Sequence, residues 1–143
     1  MPRRDSPAFA GALLERAEQY VEAVGMLANG RAGCSAEPIC LIARHGAELA
    51  LKAFLLHSGS SQDELSDAQH DLLCLWGSAR AKGLAIDASP PYWVQVINFA
   101  FDRPFLTLGR LGQPPSAAPA PQAIKESLDD LLGITADAIY RIA

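Results

Sequence analysis

The chain has 143 residues, half of them hydrophobic and a fifth charged, with a formal net charge of −4. That length fits a single domain with a core that needs no staples, and the composition excludes a disordered chain. Beyond Arg3-Arg4 there is no basic run, which argues against a broad duplex-binding face and leaves open only a small local groove.

Ser6-Pro7 opens the first helix, with serine as cap and proline pre-set for the first turn. Phe9, Leu13, Ala17, Tyr20, Val24 and Leu27 recur at helical spacing and predict its buried face, while Glu15, Glu18, Gln19 and Glu22 fall on the wet side. Asn29-Gly30 ends it, since both residues tolerate a left-handed backbone.

A second helix starts near Ser35 or Pro38, runs to about His57 and stops at Ser58-Gly59-Ser60. Its apolar residues point in almost every direction: Ile39, Leu41, Ala47, Leu51, Phe54 and Leu55 among them. Such a helix is central in its bundle or shared with another subunit. Ser61 and Glu64 have the spacing of a capping box. A further helix begins near Asp67–His70, with Leu72, Leu75, Trp76 and Ala79 on one stripe and Gly83 at its stop.

Ser89-Pro90-Pro91 opens a shorter aromatic helix. Tyr92, Trp93, Val96, Ile97, Ala100 and Phe101 form its apolar side, and Arg103-Pro104 closes it. Residues 104–121 hold five of the ten prolines and read as a long irregular loop. Ile124, Leu128, Leu131, Leu132, Thr135, Ile139 and Ile142 mark a last amphipathic helix. No run alternates as a strand does, so the expected fold is all-α: an up-and-down bundle of four or five helices in one domain, 1–143.

Arg44, Glu48 and Lys52 stack along one side of the second helix, with His45 beside them. Two readings are open. In one, this line is the wet edge of the helix, and its ion pairs are ordinary surface pairs worth little. In the other, the line is buried, and Glu48 matches a cation one turn before it and one turn after. His70-Asp71 is the second polar feature. It sits at a helix start, where His70 can cap and Asp71 favours the dipole. In the functional reading His70 faces the Arg44–Lys52 line and completes a polar pocket. The candidate binding residues are therefore Arg44, His45, Glu48, Lys52, His70 and Asp71.

Cys34, Cys40 and Cys74 form no C-x-x-C pair and an odd count, which predicts buried, reduced thiols in a cytoplasmic protein. The N-terminus lacks the apolar run of a secretory signal, and charges interrupt the stretch Ile39 to Leu56, so no membrane span is expected. The histidines lack metal-ligand spacing, and no P-loop, G-x-G-x-x-G, G-x-S-x-G or EF-hand loop occurs. Neither metal nor cofactor is expected.

The segment LIARHGAELALKAFLLHSG, followed by HDLLCLWGSARAKGL, resembles the HEPN superfamily of helical domains. The resemblance rests on A-R-H-x-x-E-L-x-L-K-A-x-L and on H-D-L-x-x-L, and covers residues 41–84. It implies a helical bundle that is commonly a homodimer. Many members are ribonucleases in toxin–antitoxin and defence systems; others partner nucleotidyltransferases or bind nucleotides. The nuclease members carry an arginine followed four to six residues later by a histidine, and this chain has no such pair. The expectation is a non-catalytic, dimeric module that binds an antitoxin-type or nucleotidyltransferase partner, a nucleotide or RNA. The alternative is a metal-independent ribonuclease toxin with displaced residues, His45 or His70 as acid or base and Arg44 stabilising phosphorane charge. A third reading is a small-molecule pocket lined by Trp76, Trp93 and Phe101.

Overall fold

Helix ends fall where the caps and breakers put them. The computed structural model describes residues 7–29, 36–61, 63–65, 71–102 and 120–140. Among these are five helices: α1 (Pro7–Ala28), α2 (Ala36–His57), α3 (Leu72–Ala81), α4 (Tyr92–Asp102) and α5 (Pro121–Tyr140). Residues 63–65 add one helical turn, opened by the Glu64 amide donating to Ser61 Oγ at 3.1 Å, as the capping spacing predicts. The described residues contain no strand, and the all-α expectation holds. No helix among them is long and apolar enough to cross a membrane.

Gly59 and Gly83 end α2 and α3 in the left-handed region, with φ of 102° and 103°. Each lets the next amide turn back to a carbonyl of the last turn: Ser60 to Leu55 at 2.9 Å, and Leu84 to Ala79 at 3.0 Å. A side chain with a Cβ would be strained at either glycine, so these two residues set where the helices stop.

α2 is the central rod. It packs against α1, α3, α4 and α5, which explains why its apolar residues face every direction. Ile39, Ala43, Ala47, Ala50, Leu51 and Leu55 are all buried, and the main core cluster draws on all five helices. The bundle covers most of the apolar surface of α2 and leaves Leu41, Ile42 and Leu49 half-buried.

Several boundaries and faces differ from the sequence reading. On α1 the buried residues are Ala10, Leu14, Ala17, Val21 and Val24, while Phe9, Leu13, Tyr20 and Leu27 lie half-buried at the flanks. Alanines aim the helix at its neighbour because they let two backbones approach closely, and the larger residues close the sides. On α4 the buried side is Val94, Ile97 and Asn98, while Tyr92 is exposed and Trp93 and Val96 are half-buried. α3 begins at Leu72, later than Asp67–His70. Pro121 opens α5, where a missing amide hydrogen costs nothing, so the expected loop 104–121 ends before it. The remainder of that loop, 104–119, lies outside the described residues, as do Cys34, His70 and Ile142. Cys40 is buried as expected, but Cys74 is exposed, because it falls on the side of α3 opposite Leu72, Leu75 and Ala79.

Candidate functional site: a charge network sealed inside the bundle

The line of charges on α2 is not a wet edge. Arg44 has no exposed surface, and Glu48 retains only 5%. Arg44 Nη1 donates to Glu48 Oε1 at 3.1 Å, and Lys52 Nζ donates to Glu48 Oε2 at 3.0 Å. One carboxylate thus holds a cation on each oxygen, the arrangement that spacing of four on a helix allows. Lys52 differs from Arg44 in keeping 19% of its side chain exposed, so its ammonium reaches toward water along the apolar stem.

Two further helices close the network. Arg44 Nη2 donates to Asn98 Oδ1 on α4 at 3.4 Å. The same oxygen accepts the Leu72 amide at 3.0 Å. Leu72 is the first residue of α3, and first-turn amides have no partner within their own helix. Asp71 caps the next two, accepting from the amides of Leu73 at 3.0 Å and Cys74 at 3.4 Å. Asn98 supplies the acceptor that the buried first amide requires, and so ties α2, α3 and α4 together at one atom.

The six expected site residues therefore separate. Arg44, Glu48 and Lys52 come together. His45 turns away toward α1, where its ring lies 5.6 Å from that of Tyr20 at an angle of 31°. Asp71 is an exposed helix cap and joins the network only through the backbone of its neighbour. The cap role assigned to His70 belongs to Asp71, and the expected contact of His70 with the network lies outside the described residues.

Asn98 is the member that sequence reasoning missed. Its signal was present: an amide residue next to Ile97 in the helix YWVQVINFAFD. Asparagine is a poor helix former. Buried in an apolar helix, it needs a partner, and a partner is what Arg44 and Leu72 provide.

The arrangement has a definite chemical consequence. Both Glu48 oxygens are engaged, and Arg44 has no surface with which to touch a solute. Burial also pushes the Cys40 thiol from its ordinary 9.0 up to about 11, so it is protonated and unreactive at neutral pH. Among the described residues no three His, Cys, Asp or Glu side chains come together as metal ligands would.

Fold and site together define an all-α bundle braced by an internal ion-pair network. Comparison of the chain with protein-family models, with curated proteins and with solved structures finds no match.

Proposed function

We propose that this chain is a non-catalytic, HEPN-like helical module that acts by binding: it pairs with a second copy of itself and engages a protein or nucleotide partner of the kind found in toxin–antitoxin or defence systems. The observation that carries this reading is the complete burial of Arg44 against Glu48 and Asn98. A group that stabilises phosphorane charge must touch the phosphate, and donors worth roughly a hundred- to a thousandfold in rate have to lie about 3 Å from the developing anion. Arg44 serves the bundle instead. Its burial weighs against the ribonuclease alternative, as does the absence of an arginine followed four to six residues later by a histidine.

The resemblance over residues 41–84 fits this assignment, because its charged positions Arg44, Glu48 and Lys52 form one network along α2, which Arg44 extends to α4. For the self-contact we single out the outer side of α3. Leu73, Cys74, Gly77, Ser78 and Ala81 are exposed there, with the charged residues Asp71, Arg80 and Lys82 exposed around them. Small and apolar side chains suit close packing of a helix on its twin in an isologous contact.

Light scattering on the full chain, together with RNA incubation at high protein concentration, tests the reading. The expected result is a dimer that Leu73→Glu converts to monomer, with RNA left intact. A strict monomer that cleaves RNA, and loses that activity in His45→Ala or His70→Ala, overturns it.

A further inference from the structure

α1 and α5 pack side by side and run antiparallel: Gly25 faces Lys125 near one end of the pair, and Gly11 faces Tyr140 at the other. The two glycines stand about four turns, or roughly 20 Å, apart along α1. Between the helices lies a groove of about 590 Å³, with Leu132 half-buried along it and Glu18, Glu22 and Asp129 exposed at its rims. Met26 on its lip is 71% exposed and Tyr140, beyond it at the Gly11 end, is 59% exposed, the highest values for large apolar side chains among the described residues. Charge is uneven as well. α1 and α5 carry seven carboxylates, all exposed, against Arg16 and Lys125, a balance of −5 in a chain whose net charge is −4. Lys125 shows how the groove holds a cation. Its stem crosses Gly25, where a Cβ would fall 2.7 Å from Cε, and its Nζ donates to both Asp129 oxygens, at 2.7 and 2.9 Å.

We propose that this groove is the docking surface for a basic amphipathic helix of a partner protein. Apolar residues at helical spacing on such a helix cover Leu132 and Met26, and the unbranched, polarisable side chain of methionine moulds to what it meets. Lysines or arginines beside that stripe reach Glu18, Glu22 and Asp129 as Lys125 does, with the apolar stem on the groove and the charged head on a carboxylate. The acidic balance selects the sign of the partner. It repels nucleic acid, an anionic membrane and the same face of a second copy, and it draws in a cationic segment. A partner helix of about four turns spans the distance from Met26 to Tyr140. The assignment deepens the binding reading by giving the chemistry of the partner, and rests on it; dimerisation through α3 and the lack of nuclease activity are independent of it.

The test is fluorescence anisotropy of a labelled leucine–lysine amphipathic peptide of about four turns, titrated with the full chain at constant ionic strength. The expected result is saturable binding, about tenfold weaker or worse for a peptide of the same composition reordered to leave no apolar face, and absent for the leucine–glutamate counterpart. The double variant Glu18→Gln/Glu22→Gln, at exposed positions that leave the core intact, weakens binding about tenfold. Met26→Ser weakens it about threefold, since less apolar surface is covered. Asp87→Asn, exposed and outside the groove, leaves it unchanged. Equal binding of the reordered peptide, no saturation, or unchanged affinity in both groove variants overturns the proposal. A chain that binds no peptide yet remains a dimer inert toward RNA overturns the groove alone and leaves the binding reading in place.

Discussion

Arg44 and Asn98 stand 54 positions apart in the chain and meet at 3.4 Å inside the bundle. Their contact matters because Asn98 spends the same oxygen on the first amide of α3. Removing either side chain therefore disturbs more than one helix. A buried polar network of this kind stabilises only while every member is satisfied.

Asn98→Ala removes the acceptor for a guanidinium donor and for a buried backbone amide. Leaving a buried donor without a partner costs about 1–3 kcal/mol. Urea unfolding is expected to show a lower midpoint with an unchanged slope, since the surface exposed on unfolding stays the same.

Burial holds the Cys40 proton on the folded chain up to a pKa of about 11, against 9.0 for an ordinary thiol. Between these values the native state binds more protons than the unfolded chain, so stability falls as pH rises through pH 9.0 to 11. Below pH 9.0 the contribution is fully present. Iodoacetamide labelling with peptide mapping is expected to modify exposed Cys74 in the native protein and Cys40 only once denaturant is added.

Two helical glycines separate packing from propensity. A Cβ at Gly133 meets nothing within 4 Å, whereas a Cβ at Gly46 lies 3.3 Å from Val21 Cγ2 and 3.4 Å from Tyr20 Cβ across the α1–α2 contact. Gly133→Ala is expected to stabilise by up to about 1 kcal/mol, the helix-propensity difference. Gly46→Ala is expected to lower the Tm, because α1 and α2 must part to admit a methyl group. Thermal melts of the two variants, run side by side, check the contrast.

Leu51 is fully buried in α2 and belongs to the main core cluster. Leu51→Ala is expected to cost about 2–5 kcal/mol, the range for a leucine whose cavity the surroundings cannot fill. Denaturant unfolding measures it directly.

The helices were legible in the sequence because local chemistry places their ends: Pro7 at the start of α1 and Pro91 just before that of α4, Gly59 and Gly83 after the stops of α2 and α3. The centrality of α2 was legible for the same reason, since apolar residues on every side require neighbours on every side. The faces of α1 and α4 were not. Periodicity weights large residues, while the close α1–α2 approach selects Ala10 and Ala17, and Asn98 is polar and yet buried. The pairing of Arg44 with Glu48 follows from spacing along one helix. The contact with Asn98 spans two helices that only tertiary packing brings together, and nothing local announces it.

The central claim is that Arg44 and Glu48 form an internal brace rather than a surface pair, and equilibrium unfolding of Glu48→Ala beside the double variant Arg44→Met/Glu48→Leu tests it most directly. Stranding Arg44 in the interior is expected to cost about 3–5 kcal/mol in the single variant, whereas replacing both charges with apolar groups of similar volume recovers most of that loss. A single variant within about 1 kcal/mol of wild type, the range of an exposed pair, contradicts the account.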